Sequence, residues 1–319
     1  MVRHSMIDSY IWEKEFKLML DQEHFEKVWD IVESSLDDFI TLYFDSSKNP
    51  ISVLKPKDNL NLYIRKLIDE HCTEQDRYIE IFDPELMDDY EEDVDGFKGE
   101  ILSKRCPVIR VTLNSKAAVL KDWKIAYKLA SPQKLYDTFY NIISFAEEYN
   151  DDMTEEEFNE IDTIEGNRLS ELTEDACYLT GVIGTGILSN VLNNLYPRIF
   201  PNMFKIGMFA LYILSEKKAI EMGSDSSEFL MVKDDIPSKT GIIEAEHNYY
   251  YPYETFALYT LRIYRVLDKE IQVRYKLKFP DEYRFVLIND FYKYIVESQR
   301  KDIQTLLGND DIYKFRIPI

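Results

Sequence analysis

The sequence predicts a predominantly α-helical protein with a minor β component, arranged as two domains. Three observations lead there. The 319 residues hold only 10 Gly and 11 Pro, so long stretches run without a breaker. Large apolar residues recur at three- and four-residue steps along much of the chain. Runs of β-branched residues are few and short. A composition 45% hydrophobic and 14% aromatic supplies a core and excludes a disordered, collagenous or low-complexity chain.

In order, Phe25, Val28, Trp29, Val32, Leu36, Phe39, Ile40 and Tyr43 mark a long amphipathic helix that SSKNP (46–50) ends. Leu60, Ile64, Leu67 and Ile68 mark a second. The acidic run 83–100 reads as a loop, and PVIRVTL (107–113) as a short strand. Leu135, Phe139, Ile142, Ile143 and Ala146 belong to a further helix. The stretch EEYNDDMTEEE is charged and poor in large apolar groups, which predicts a boundary there. Residues 1–150 would form an acidic, mostly helical domain, and 151–319 a helical one with a hairpin at 181–214. Helices are expected at about 154–163, 168–180, 186–195 and 203–220. FLMV (229–232) and GII (241–243) would form a small hairpin. Two closing helices follow, through Phe256, Tyr259, Ile263 and Leu267 and through Phe285, Ile288, Phe291, Tyr292 and Ile295.

The net charge is −21, and it is unevenly spread: residues 1–100 carry 26 acids against 11 bases, while 201–319 carry 18 against 17. Such a charge repels nucleic acid and anionic membranes at long range, so contact with either needs a local basic surface. Three stretches qualify. Residues 104–134 hold Lys104, Arg105, Arg110, Lys116, Lys121, Lys124, Lys128 and Lys134 against Asp122. Residues 256–279 hold Arg262, Arg265, Lys269, Arg274, Lys276 and Lys278 against Asp268 and Glu270. Residues 176–215 contain no acid, with Arg198 and Lys205 their only charges. Cys72, Cys106 and Cys177 are too scattered for a disulfide framework or a metal knuckle, which predicts a reducing, cytoplasmic setting. The opening residues have no secretion signal, and no apolar run is long enough to span a membrane.

The most informative segment is GVIGTGILSNVLNNLYPRIFPNMFKIGMFALYIL (181–214). Gly184-Thr185-Gly186 between an expected helix and an apolar one is what a helix-hairpin-helix turn requires, since glycine tolerates positive φ and the following helix offers free N–H groups to an anion. The longer string runs through Ser189, Val191, Leu192, Leu195, Pro197, Phe200 and Pro201. It resembles a helix-hairpin-helix-like segment of bacterial restriction and phage-defence proteins of the McrBC-associated type. The resemblance implies a place close to DNA, with Gly184, Thr185, Gly186 and Ser189 against phosphate and Arg198 and Lys205 beside them. Two departures shape it. Asn202 stands near where helix-hairpin-helix glycosylases carry a catalytic Asp. No Gly-x-x-x-x-Gly-Lys-Ser/Thr loop marks the chain as the ATPase of such a system. Two apolar helices packed across a glycine turn would give the same string with no ligand.

Arg262, Arg265 and Lys269 share one helical face, and Tyr249, Tyr250, Tyr251 and Tyr253 lie just upstream. Guanidinium groups beside aromatic rings suit phosphates and unpaired bases, and equally suit a solvated face above a packing corner. Arg65 and His71 fit the Arg-x(4–6)-His pattern of HEPN ribonucleases. Glu91-x-Asp93-x-Asp95-Gly96 opens like an EF-hand loop but has Leu102 where that loop closes with Glu. Glu244-x-Glu246 after Asp234 and Asp235 lacks the Lys of a metal-dependent nuclease. His4, His24, His71 and His247 have no ligand spacing. The sequence thus predicts a non-catalytic protein without metal or cofactor. It would be nucleic-acid-associated through Gly184–Ser189, Arg198, Lys205, Arg262 and Arg265, in a defence or restriction-like system. Two alternatives stand beside that reading: an acidic interaction module or DNA mimic acting on a basic protein partner, and an RNase toxin.

Overall fold

The structure is a computed structural model, and it describes residues 9–45, 56–117, 120–222, 227–232 and 245–307. Helices α1 (Ser9–Met19) and α2 (Gln22–Asp45) open it, followed by α3 (Pro56–Phe82). Asp21 starts α2 by accepting from the His24 N–H at 2.9 Å. Helix α4 (Pro84–Tyr90) begins with Pro84 in the first turn and Asp83 capping the Glu85 N–H.

The acidic run expected as a loop is in fact helical almost throughout. After α4 come a 3-10 turn (Glu91–Asp93), α5 (Val94–Gly96) and a π-helix (Phe97–Arg105). Met87, Phe97 and Leu102 are buried, and these segments pack on α8. The expected strand at 107–113 is helix α6 (Pro107–Asn114). Pro107 sits in its first turn, and Val108 and Ile109 point inward. A short β-branched run has no decisive period, and packing chose the helix.

Helix α7 (Lys121–Leu129) leads to α8 (Pro132–Asp152), which runs through residue 150 without a break. Helix α9 (Glu155–Glu160) starts with a reciprocal cap: the Glu157 N–H donates to Thr154 Oγ1 at 3.2 Å, and the Thr154 N–H to the Glu157 carboxylate at 3.1 Å. Where a helix was expected at 168–180, three 3-10 turns (Glu165–Asn167, Ser170–Thr173, Asp175–Cys177) and a bridge between Leu179 and Ile183 stand instead. Helices α10 (Thr185–Leu195) and α11 (Lys205–Leu214) match the expected pair. Strand β1 (Leu230–Val232) pairs antiparallel with β2 (Ala245–His247), Leu230 opposite His247. FLMV thus supplies its strand, whereas GII (241–243) lies outside the described residues. Helices α12 (Tyr253–Tyr275), α13 (Arg284–Ser298) and α14 (Arg300–Leu307) complete the order. The chain is mainly helical with one small two-stranded sheet.

Helix α11 is the centre because it is apolar all round: Gly207 to Leu214 are buried without exception. It packs on α13 and α2, while α12 packs on α13 and α2, and α3 on α10 and α13. Phe25 of α2 stacks on Tyr259 of α12 with ring centroids 4.2 Å apart. Buried side chains from Met19 to Ile303, on both sides of residue 150, join one hydrophobic cluster. Each large apolar side chain in it contributes roughly 1.5–3 kcal/mol by leaving water. Among the described residues, no helix is long and apolar enough to cross a membrane.

Candidate functional site

The glycine-turn segment is held by its own side chains. Gly184 caps α10 in extended backbone, and the positive φ belongs to Gly181 at +75° in the preceding turn. The Thr185 N–H is directed at the Tyr178 hydroxyl at 3.4 Å. A Cβ on Gly184 would stand 2.9 Å from that hydroxyl, whereas one on the exposed Gly186 would meet nothing within 4 Å. Ser189 is wholly buried, and its Oγ accepts from the Met203 N–H at 3.0 Å. The asparagines do similar work. Asn193 donates to the Phe200 carbonyl at 2.8 Å, and Asn190 accepts from the Tyr78 hydroxyl at 2.7 Å. These bonds fix the 196–204 connection and tie α10 to α3. The element before Gly184 is the Leu179–Ile183 bridge, not the helix that the hairpin pattern led us to expect.

Arg198, Lys205, Arg262 and Arg265 are partly buried, whereas Lys104, Arg105, Lys121, Lys128 and Lys134 of the stretch 104–134 and Lys269, Arg274, Lys276 and Lys278 of the stretch 256–279 are exposed. Arg262 is 10% exposed and grips Glu26 while reaching Asp162. Arg265 donates to the carbonyls of Phe158 at 3.2 Å and Asn159 at 2.8 Å, and burial lowers its pKa. Arg198 meets Glu155 at 3.3 Å and the side chain of Asn150 at 3.2 Å. Lys205 Nζ lies 5.8 Å from the Phe209 ring centre. Of the tyrosines, Tyr251 and Tyr253 are buried and Tyr250 is exposed. Sequence reasoning missed one arginine entirely, Arg284, which is fully buried and bonded to Glu155.

The acids turn outward. Glu85, Asp88, Asp89, Glu91, Glu92, Asp93 and Asp95 are exposed, as are Glu147, Glu148, Asp151 and Asp152 on the last turns of α8. Because α4, α5 and the π-helix pack on α8, the first acidic run lies along that helix. Two tyrosines sense this. Burial, and then Glu147, Asp151 and Asp83, raises the pKa of Tyr196; burial, and then Glu91, Asp88 and Asp137 among its neighbours, raises that of Tyr136. Asp83 and Asp151, 68 residues apart in sequence, therefore act on the same phenol.

The enzyme-like patterns are placed as follows. Arg65 and His71 are both on α3, but six residues set them about 120° apart around the axis. Arg65 is exposed, whereas His71 is buried, and burial lowers its pKa to about 4, so the ring is neutral at pH 7. Asp93 of the EF-hand-like run caps the Gly96 N–H at 2.9 Å inside helical structure. Glu246 is buried in β2, while Asp234, Asp235 and Glu244 lie outside the described residues. Among the described residues, no group of three or more His, Cys, Asp or Glu side chains is arranged to hold a metal ion.

Comparison with known proteins returns no matching family model, no matching curated protein and no matching solved structure.

Proposed function

We propose that the protein is a non-catalytic interaction module that presents an acidic face, built by α4, α5 and the C-terminal half of α8, to a basic partner. The observation that carries this reading is the packing of the first acidic run along α8, with the acids of both runs exposed and Asp83 brought near Glu147 and Asp151 around Tyr196. The fate of the arginines supports it. Arg198, Arg262 and Arg265, the guanidinium groups best suited to phosphate, are engaged by internal carboxylates and carbonyls. A face of like charges attracts a cationic partner over about one Debye length and sets association rate more than final affinity. The two-domain division and the helix-hairpin-helix reading belong to the competing proposal. In it, the exposed first turn of α10 at Gly186 approaches nucleic acid.

The test compares two neutralised variants with the intact protein. One carries Asp88→Asn, Glu91→Gln, Glu147→Gln and Asp151→Asn on the proposed face. The other carries Asp30→Asn, Glu33→Gln, Asp37→Asn and Asp38→Asn, four exposed acids of α2. Both remove the same charge. Anisotropy of a labelled oligolysine peptide at about 50 mM salt should show affinity falling about fivefold or more in the first variant only. Equal losses in both would reduce the effect to net charge and overturn the reading. Labelled single- and double-stranded DNA and RNA are measured alongside. Salt-sensitive nucleic-acid binding abolished by Gly186→Val would favour the hairpin instead.

A further inference from the structure

Residues 153–164, including α9, lie as a strap across four arginines brought from three places in the chain. Glu155 takes two of them, Arg198 at 3.3 Å and the wholly buried Arg284. Two adjacent carbonyls in the last turn of α9, those of Phe158 and Asn159, accept from Arg265. Asp162 accepts from Arg262 at 2.8 Å through its carbonyl and 2.9 Å through its carboxylate. The Phe158 ring covers the Arg284 guanidinium, 4.5 Å away.

The strap does not satisfy its seat. Glu155, Asp162 and Glu26 supply three carboxylates to four guanidinium groups, and Asp281 is already shared by Lys278 and Tyr264. Arg284 has no exposed surface, yet its Nη1 has no hydrogen-bond partner. An unpartnered charged donor at that depth is costly and marks a position where another acceptor would be gained. On its inner side Phe158 and Ile161 are buried, and with Tyr149, Leu169 and Leu258 they line an apolar void of about 10 Å³.

We propose that Arg198, Arg265 and Arg284 form a binding seat for a short acidic peptide helix carrying an aromatic residue. In this view residues 154–162 are its intramolecular occupant, displaced when a partner's segment of the same chemistry arrives. The acceptors define the ligand. One is a carboxylate in a first turn, two are adjacent carbonyls at a helix C-terminus, and between them an aromatic ring enters the core. Guanidinium groups capping C-terminal carbonyls complement the negative end of a helix. A phosphate backbone offers neither those carbonyls nor that spacing.

The probe is a fluorescein-labelled synthetic peptide of residues 150–165, added to the intact chain and to Glu155→Gln and Glu155→Gln/Phe158→Ala variants. Amide hydrogen exchange checks that α2 and α12 keep their protection. Weakening the strap should raise exchange at 154–162 and tighten peptide binding about tenfold or more over the unaltered chain. Adding Arg198→Gln and Arg265→Gln should remove that binding. Three results would overturn the proposal: exchange of the strap in the unaltered chain only together with α12, loss of the whole fold in Glu155→Gln, or a folded, opened variant that ignores the peptide. An opened variant that binds labelled DNA or RNA and not the peptide would replace the peptide by nucleic acid.

Discussion

Arg262 grips Glu26 with both ends of its guanidinium, Nη1 to Oε2 at 2.6 Å and Nη2 to Oε1 at 2.8 Å, and so joins α12 to α2 across 236 residues of sequence. The same group lies 4.8 Å from the Phe25 ring centre and 5.5 Å from that of Trp29. A residue chosen by its helical face as a phosphate ligand is therefore a clamp between the first and last thirds of the fold.

Arg262→Lys should be poorly tolerated, because an ammonium cannot make the paired bonds or the flat stacking of a guanidinium. The expected loss is about 1–2 kcal/mol, rising to about 3 kcal/mol for Arg262→Ala. Glu26→Gln should lose less, since that side chain is 44% exposed. Urea denaturation with unchanged slope measures all three. Equal stability of Arg262→Lys and the parent would show that the fork geometry contributes nothing.

Two groups contribute to the acid side of the stability profile in ways that can be separated. The bonds from Arg262 hold the Glu26 carboxyl below the usual glutamate range. Its contribution is thus complete above about pH 4.3 and disappears as pH falls through the lower folded value. His71 acts at higher pH. Its folded pKa is lowered to about 4, while the unfolded chain takes up a proton near 6.5. Stability should therefore decline between about pH 6.5 and 4, by on the order of 3 kcal/mol. His71→Phe should flatten that part of the curve in urea titrations at about pH 7, 5.5 and 4.5. A decline of the same size in the variant would assign it to other groups.

Gly207 of α11 lies close against Phe256 of α12 and Tyr292 of α13. A Cβ there would lie 3.0 Å from Phe256 Cζ and 3.4 Å from Tyr292 Cδ2. Both rings are fully buried. In an open helix Gly→Ala gains about 1 kcal/mol. Here the crowding should win, giving a net loss of about 1–2 kcal/mol for Gly207→Ala and more for Gly207→Val. Calorimetry of both variants decides the sign, and a raised Tm for Gly207→Ala would show that the rings yield.

Asp290 accepts two phenols at one oxygen, Tyr43 at 2.7 Å and Tyr63 at 2.6 Å. Asp290→Ala would leave the buried Tyr43 hydroxyl without this acceptor, at a cost of about 2–3 kcal/mol. Tyr43→Phe in the Asp290→Ala background should recover part of it. A double variant no better than the single would mean that water replaces the carboxylate.

Much of the helical content was legible because Phe25 to Tyr43 and Phe285 to Ile295 keep a strict helical rhythm. In the run 83–100 the dense carboxylates mask Met87, Val94, Phe97 and Ile101, whose spacing carries a helical period. At 107–113 the useful sign was Pro107, which suits a first helical turn better than a strand start. The arginine seat was not legible at all. Arg198, Arg265 and Arg284 lie 43, 106 and 129 residues from their acceptors, and no local pattern records such pairings.

Helix α2 has its packing partners α11, α12 and α13 beyond residue 200. A ribosome adding about 5–20 residues per second needs on the order of ten to fifty seconds to make the intervening chain. Throughout that interval Phe25, Val28, Val32, Leu36 and Ile40 wait without their shelter. A chain rich in local helices thus depends on late-arriving sequence to close its core.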